Sequence, residues 1–365
     1  MPEAAGTVGG SDPRMPVALH TRLCELFGVR YPIVQTGMGW VSGARLTAAT
    51  ANAGGLGILA SATMTCDQLR TAIREVKERT EAPFGVNFRA DQPDLADRLD
   101  LVEREGVRVA SFASPPSGEI VKRVTGVGIA VIPTIGAPRH AEKMAGLGVT
   151  AVIAQGMEGG GHTGDIPTAL LVPACVDVVD IPVIAAGGFC DGRGLVAALA
   201  WGAAGIAMGT RFLLTRESTV PDQVKDRYLA AGLRDTVRTT AVDGHPQRVI
   251  RTELVDELEQ ASILTRLPKA ALNALRFRKL TGTSVRALLQ EGLAMRKSQE
   301  LTWAQLAMAA NAPMLTKAAL VDGHPEVGIL PTGQVVGEID GLPTVAEVIE
   351  RIVGEATDTL SRLGS

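Results

Sequence analysis

Short apolar runs recur through the first 210 residues of the chain, and their starts are roughly 20 to 30 residues apart, about one βα unit each. Each run is continuous rather than alternating, as is typical of a parallel strand buried on both faces. The segments between the runs have helical spacing, as at Leu69, Ile73 and Val76. The pattern predicts eight strands: Pro32–Gln35, Leu56–Ala60, Phe84–Asn87, Val107–Phe112, Ile129–Pro133, Ala151–Gln155, Val183–Ala186 and Gly205–Met208.

Eight βα units in succession are the number that closes a (β/α)8 TIM barrel, and this is the α/β fold that we predict. An open, doubly wound sheet is the alternative, but it usually has fewer strands and needs a topological switch point. A last helix is predicted over Leu342–Leu363. Thr344 is its expected N-cap, because Glu347 follows three residues later and completes a capping box.

The pattern changes after residue 215, where no further βα unit is visible. Residues 222–312 have mostly helical spacing and predict a helical lid or substrate subdomain inserted after strand eight. The barrel would then comprise residues 16–221 and 313–365, after a flexible tail at residues 1–15. The helices predicted in the insertion are Val255–Gln260, Ala270–Phe277, Val285–Lys297 and Thr302–Ala309.

Composition narrows the classes of function. Hydrophobic residues make up 46% of the 365 residues and charged residues 21%, which predicts a large packed core rather than disorder. Aromatic residues at 3% and a net charge of −3 give no reason to expect binding to nucleic acid or to an anionic membrane. Four scattered cysteines without a CxxC pair, and no apolar stretch long enough for a bilayer, predict a cytoplasmic protein with no zinc site.

Ligands of TIM-barrel enzymes collect at the C-terminal ends of the strands. Strand one runs into Gly37-Met38-Gly39, where glycines would let backbone amides approach a flat ring, although a plain turn has the same sequence. Strand three ends at Asn87, whose amide must find partners either on a ligand or on a neighbouring loop. Strand six ends at Gln155.

Glycine-rich turns follow strand seven, at Ala186-Gly187-Gly188, and strand eight, at Met208-Gly209-Thr210. Turns after these two strands that lead into a helix N-terminus form the phosphate site common in this fold, because N–H groups and the helix dipole favour a dianion. Thr210 can add a hydroxyl donor. A tight turn alone would explain either motif but not both.

The stretch after Gln155 contains three consecutive glycines, including Gly160 and Gly161, followed by His162. The glycines predict close approach of the backbone to another group. Histidine is the side chain that most readily exchanges protons near neutral pH, so we predict His162 as an acid or base. A mobile surface loop is the alternative. Glu158, in the same stretch, is a candidate for substrate contact.

Residues 261–290 contain no acidic residue but six basic ones. Either they form a solvated helix face, or they form a cationic lid for a phosphate-bearing substrate such as coenzyme A or a nicotinamide nucleotide, with Arg276 and Arg278 as candidates. The chain has neither a P-loop nor a Rossmann glycine motif. NADH or NADPH would therefore bind transiently at the barrel mouth, as a co-substrate.

Jointly, the motifs resemble the nitronate monooxygenase (formerly 2-nitropropane dioxygenase) superfamily. The Glu158–His162 loop is similar to that of FMN-dependent enoyl-acyl-carrier-protein reductases, and the superfamily also includes flavin reductases of CoA thioesters in steroid degradation. The resemblance rests on Gly37–Trp40, Ala53–Ile58, Gly85–Asn87, Gly156–Gly164, Ala185–Gly188 and Gly209–Phe212. It implies that His162 is the catalytic acid or base and that FMN is bound by Gly37, Met38, Gly39, Asn87, Gln155, Gly160, Gly161, Ala186, Gly187, Gly188, Met208, Gly209 and Thr210.

The resemblance implies an FMN-dependent oxidoreductase, with an NAD(P)H-dependent reductase or dehydrogenase of an unsaturated CoA thioester or related enone as the first hypothesis. Two alternatives stay open. One is a nitronate monooxygenase that oxidises alkyl nitronates with O2, and the other is a barrel that binds a phosphate-bearing metabolite without catalysis. A homodimer is one option for the assembly, and His245 and His324 are as consistent with structural as with functional roles.

Overall fold

Eight parallel strands pair in order and close into a barrel in the computed structural model, which describes residues 17–260 and 313–364. The eighth barrel strand pairs with the first, with Ile33 opposite Ile206. The predicted TIM barrel is confirmed. The described strands are β1 (Ile33–Gln35), β2 (Leu56–Ala60), β3 (Phe84–Phe88), β4 (Val109–Phe112), β5 (Ala130–Ile135), β6 (Val152–Gln155), β7 (Gly161–His162), β8 (Val183–Ala186), β9 (Gly205–Met208), β10 (Thr236–Thr239) and β11 (Gln247–Ile250).

The barrel strands form where the sequence is continuously apolar. Every residue of β2, β4, β8 and β9 is buried, because each strand has the barrel interior on one face and helices on the other. All eight predicted apolar runs overlap the barrel strands. Branched side chains fill the interior, among them Val34, Ile58, Ile132 and Ile184. This core fixes the positions of the strand ends, where the candidate site lies.

Helices alternate with the barrel strands and are bounded by local caps. Thr65 and Gln68 form a capping box at helix α3 (Cys66–Arg79), and Thr344 and Glu347 form the predicted capping box at helix α12 (Val345–Leu363). The described helices are α1 (Arg22–Phe27), α2 (Ala44–Asn52), α3 (Cys66–Arg79), α4 (Leu95–Arg104), α5 (Gly118–Gly126), α6 (Pro138–Gly146), α7 (Thr168–Val176), α8 (Gly192–Ala200), α9 (Thr210–Leu213), α10 (Asp222–Leu229), α11 (Glu253–Gln260), residues 313–320, and α12 (Val345–Leu363), with 3-10 turns at Val17–Leu19 and Gln334–Glu338.

Helix α12 packs directly on the first turn of α8. A Cβ atom on Gly192 would lie 2.3 Å from the backbone nitrogen of Ala356, so only glycine fits at this crossing. The backbone N–H of Gly192 also donates to the carboxylate of Glu355 at 2.9 Å. The last helix of the chain is thereby attached to the layer of helices around the barrel.

The described residues group into two compact units. The first comprises the chain up to Glu158, Gly164–Ser218, and the chain from Gly341 onward, and it contains the barrel. The second comprises Gly159–Thr163 and Thr219–Asp340. The five residues Gly159–Thr163, which come shortly after β6, therefore group with a segment that begins more than fifty residues later, at Thr219.

The second unit has a small antiparallel sheet in the order β10-β11-β7. The sequence pattern predicted mostly helices after residue 222, and the strands β10 and β11 correct that prediction for residues 236–250.

Helix α11 overlaps the predicted Val255–Gln260 helix, whereas the other three predicted helices and the predicted tail at residues 1–15 lie outside the described residues. An apolar cluster of Val242, Val249, Val255 and Ile329 forms the core of this unit. None of the described helices combines the length and apolar character that crossing a bilayer requires.

Candidate active site

The end of β1 and the end of β3 lie in direct contact. A Cβ atom on Gly37 would be 2.3 Å from the Cβ of Asn87, so the absence of a side chain at Gly37 makes room for the asparagine. Asn87 is half-buried, and its side-chain amide makes no hydrogen bond to any residue that the structure describes. An amide with two donors and an acceptor in this position is suited to the polar edge of a ligand.

Ser42 holds the loop after β1. Its hydroxyl donates to the carbonyl of Thr36 and accepts from the N–H of Met38, both at 2.9 Å. Buried Gln35 also donates to this hydroxyl at 2.9 Å. These three hydrogen bonds hold the loop that carries Gly37, Met38 and Gly39.

The ends of β1 and β9 are neighbours. The carbonyl of Met208 accepts from the N–H and the hydroxyl of Thr36, at 3.1 and 3.2 Å. A Cβ on Gly209 would lie 3.3 Å from the Sδ of Met38. Thr210 begins the four-residue helix α9 directly after this contact. The predicted residues of strands one and eight therefore lie together at one end of the barrel.

Buried Arg98 stabilises the backbone around Asn87 through Ser61. The Arg98 guanidinium donates to the carbonyls of Ser61 and Met64, at 2.8 and 2.5 Å, and to the carboxylate of Asp94 at 2.8 Å. Ser61 in turn donates to the carbonyl of Asn87 from its N–H and its hydroxyl. The Arg98 guanidinium holds the pKa of the Asp94 carboxyl below its usual range. This network fixes the backbone on which Asn87 stands.

The turn after β8 has two consecutive residues in the left-handed region, Gly187 at φ 101° and Gly188 at φ 84°. Within the described residues, neither backbone N–H donates a hydrogen bond. The following helix differs from the expected phosphate site. Its first turn is capped by two carboxylates, since Asp191 accepts from the N–H of Gly194 and Glu355 from that of Gly192, both at 2.9 Å. An anion here would therefore meet the amides of the turn rather than the N-terminus of α8.

Gln155 is the last residue of β6, and Glu158 follows it three residues later. Half-buried Gln155 is in register with Ala186 of β8, which brings the predicted residues of strands six and seven side by side. The Glu158 carboxylate accepts from the backbone N–H and the hydroxyl of Thr168, at 3.0 and 2.7 Å. Glu158 thus stabilises the N-terminus of α7, a structural role that the sequence did not indicate.

His162 belongs to the second unit, where β7 pairs with β11 and His162 lies opposite Gln247. The glycines before it have packing reasons of their own. A Cβ on Gly160 would lie 2.5 Å from the backbone nitrogen of Gly333, and Gly161 has a φ of 66°. These constraints fix the approach of the chain to His162. Arg276 and Arg278, the predicted lid residues, lie outside the described residues.

The imidazole of His162 forms a hydrogen bond with a carboxylate that was not predicted from the sequence. Its Nε2 lies 2.7 Å from the Oδ2 of Asp243. The His162 side chain is 63% exposed, whereas that of Asp243 is only 8% exposed. An exposed histidine bound to a buried carboxylate is an arrangement suited to proton exchange.

A tight turn holds Asp243 in place. Its second oxygen, Oδ1, accepts from the backbone N–H of His245 at 3.0 Å, and Gly244 between them has a φ of 89°. The His245 ring lies edge-on to that of His162, with centroids 6.1 Å apart. Burial raises the pKa of the Asp243 carboxyl, but the His162 hydrogen bond and charge and the His245 N–H outweigh it and leave that pKa below its usual range.

Comparison with known proteins identifies the family. The sequence pattern of the nitronate monooxygenase family matches residues 20–355. The chain belongs to the nitronate monooxygenase family. Members of this family are flavin enzymes. Within the described residues, no cluster of histidine, cysteine and acidic side chains is arranged to hold a metal ion.

Two relatives within the nitronate monooxygenase family match almost the whole chain. Proteins of Rhodococcus jostii and Mycobacterium tuberculosis are 57% and 59% identical to it, over 95% and 93% of this chain and 98% and 96% of their own lengths. Both are named (3aS,4S,5R,7aS)-5-hydroxy-7a-methyl-1-oxo-octahydro-1H-indene-4-carboxyl-CoA dehydrogenase. A probable nitronate monooxygenase of Staphylococcus saprophyticus is 32% identical over 66% of the chain.

Solved structures of flavin enzymes share the fold. FabK from Thermotoga maritima has a TM-score of 0.77 and 35% identity, covering 94% of this chain and 98% of its own. Nitroalkane oxidase from Streptomyces ansochromogenes has a TM-score of 0.74 and 27% identity, covering 93% and 99%. These relatives, like those matched by sequence, are oxidoreductases, and this member of the nitronate monooxygenase family is an oxidoreductase as well.

Proposed function

We propose that this chain is an FMN-dependent dehydrogenase or reductase of a CoA thioester, in which His162 exchanges the proton on the carbon next to the thioester carbonyl. The observation that carries the proposal is the 2.7 Å hydrogen bond between exposed His162 and buried Asp243. The names of the two relatives at 57% and 59% identity support the choice of a CoA thioester of a bicyclic keto acid.

The residues at the barrel end fit FMN. Asn87 offers an amide without a partner among the described residues, and the absence of a side chain at Gly37 makes room for that asparagine. The N–H groups of Gly187 and Gly188 are available to phosphate oxygens, and Thr210 stands at the end of the adjacent strand. Bound there, FMN would supply the hydride chemistry, with NADH or NADPH as the proposed electron donor in the reducing direction.

The chain's own residues would manage binding and the proton. A thioester carbonyl acidifies the neighbouring C–H, which makes that carbon suited to proton exchange with a general base. The imidazole of His162 takes the proton in the oxidising direction and returns it in the reducing direction. Asn87 and the loop held by Ser42 orient the flavin ring. The proposal assigns the enzyme to the cytoplasm, in keeping with four free cysteines, and leaves a homodimer as an option.

The test is an anaerobic titration of the FMN-loaded protein with cyclohexanecarboxyl-CoA, followed by flavin absorbance. Bleaching by the thioester, but not by free cyclohexanecarboxylate, is the expected result. In the reducing direction, NADH or NADPH should bleach the flavin, and 1-cyclohexenecarboxyl-CoA should restore the colour. A flavin that none of these compounds reduces or reoxidises would overturn the proposal.

A nitronate monooxygenase is the second candidate, because the family pattern and the nitroalkane oxidase structure both favour it. His162 would then be the base for neutral nitroalkanes. The same titration with an alkyl nitronate separates the candidates. Reduction by the nitronate, without reduction by the thioester or by NAD(P)H, would support the monooxygenase.

A further inference from the structure

We infer that Asp243 is a positioning residue for His162: it holds the imidazole with a proton on Nε2, so that the proton of the reaction is exchanged at Nδ1. The inference deepens the proposed function and rests on His162 being its acid or base. Asp243 touches neither substrate nor cofactor in this role. It acts only through the histidine.

The two carboxylate oxygens of Asp243 have different partners. Its Oδ1 is engaged by the N–H of His245, within a turn whose Gly244 has a left-handed conformation. Its Oδ2 is therefore directed to the Nε2 of His162 at 2.7 Å, a distance typical of a charge-assisted hydrogen bond. Because the carboxylate is buried, water does not compete strongly for it.

The backbone under the pair is fixed from both sides. The N–H of Thr163, next to His162, donates to the carbonyl of Pro246 at 3.1 Å. His162 is in register with Gln247 across the sheet. Two segments 81 residues apart are thus joined at the pair, and the 63% exposed imidazole is held through its Nε2.

The charge state of Asp243 assigns the tautomer. Its carboxyl ionises more readily than usual, because the interactions with His162 and the His245 N–H outweigh burial and lower its pKa. An ionised carboxylate only accepts hydrogen bonds, so Nε2 must be the donor. In the neutral ring, Nδ1 then carries the lone pair that receives a proton.

The chain supplies a matched control. His324 also pairs with an acid, since its Nδ1 lies 3.2 Å from the Oε1 of Glu326, but both side chains are well exposed. An exposed pair of this kind restrains the ring little. Glu326→Gln removes a carboxylate from a histidine in the same way as Asp243→Asn and should leave activity unchanged.

The experiment compares Asp243→Asn, Asp243→Ala, His162→Ala, the double variant His162→Ala/Asp243→Asn, and Glu326→Gln, each as the FMN-loaded full chain. Asp243→Asn should lower kcat for the thioester by about 10- to 100-fold, less than the roughly 10²- to 10⁴-fold that a general acid or base itself contributes, with KM changed less than about threefold. The double variant should be no slower than His162→Ala, because Asp243 acts through the histidine. Losses that multiply in the double variant, or full activity in Asp243→Asn, would overturn the inference.

A second readout is independent of turnover. Nitrogen-15 spectra of histidine-labelled protein resolve the tautomers of the five imidazoles, and the His162 signals are assigned by their loss in His162→Ala. We expect Nε2 to be protonated in the wild type and in Glu326→Gln, with a mixture of tautomers in Asp243→Asn. A wild-type imidazole protonated on Nδ1 alone at neutral pH would refute the inference. A wild type that no thioester reduces would refute the proposed function while the tautomer is still measured.

Discussion

A Cβ atom added to Gly37 would stand 2.3 Å from the Cβ of Asn87, well inside the contact distance of two carbon atoms. Gly37→Ala must therefore displace Asn87 from the end of β3. We expect FMN binding to weaken at least about tenfold, as measured by fluorescence titration of the flavin-free protein, because a displaced amide loses its hydrogen bonds to the ring.

The same loop contains the control. Gly43 has no atom within 4 Å of its Cβ position and has negative φ, so Gly43→Ala should bind FMN as the wild type does. Equal affinities in the two variants would show that Asn87 does not contact the flavin.

His162→Gln should lose turnover but keep its flavin. The side chain would no longer exchange protons, and general acid–base catalysis contributes about 10²- to 10⁴-fold, so kcat should fall by that factor. Flavin content should match the wild type, because the residues that we assign to FMN include no side chain of this pair. Steady-state kinetics and the absorbance ratio of flavin to protein measure the two quantities, and wild-type kcat would remove His162 from the mechanism.

Gly192→Ala should destabilise the protein. The added methyl group would meet the backbone of Ala356 and Ile352 rather than a flexible side chain, so α12 must move. Overpacking of this kind costs about 1 to 3 kcal/mol in the free energy of unfolding. Urea denaturation provides the measurement.

Gly354→Ala is the matched change on the other helix of this contact. Gly354 lies within α12, is exposed and has nothing near its Cβ position. Alanine there should raise the free energy of unfolding by about 0.5 to 1 kcal/mol, the usual helix preference over glycine. The two variants should therefore shift stability in opposite directions, and a stabilising Gly192→Ala would disprove the tight crossing.

The Arg98–Asp94 interaction should make stability depend on pH. The pKa of Asp94 is lowered in the folded protein, so its contribution is present above the unfolded value of about 3.9 and is lost as the pH falls through the folded pKa. Asp94→Asn should therefore be less stable than the wild type at pH 7, and the difference should shrink below about pH 4. Asp67→Asn, which removes the exposed partner of Arg70, should show little difference at either pH.

The sequence predicted the barrel because its strands are buried on both faces and read as unbroken apolar runs. The last helix was predicted for a local reason, since Thr344 and Glu347 are three residues apart and cap each other. The strands β10 and β11 were missed because they are four residues long and carry arginines at Arg238 and Arg248. Short polar segments do not separate from loops by periodicity.

Some residues of the candidate site could be predicted from local sequence, and others could not. Residues such as Gly187 and Gly209 were predicted because glycine-rich turns at strand ends are visible locally. Asp243 was not, because its partner His162 is 81 residues away and only the fold brings them together. The motif Asp243-Gly244-His245 did carry a signal, since aspartate before glycine favours the turn that fixes the carboxylate.

The crossing of α12 on α8 has a consequence for biosynthesis. The helix that covers the first turn of α8 is formed by residues 345–363, which follow all eight barrel strands along the chain. A nascent chain that has emerged only as far as residue 340 therefore has every barrel strand but leaves Gly192 uncovered. The apolar face of α12, including Val348, Ile349 and Ile352, becomes available only afterwards. Ribosome-bound intermediates of this length should therefore be sensitive to proteases and bind chaperones, and release of the final segment should end both.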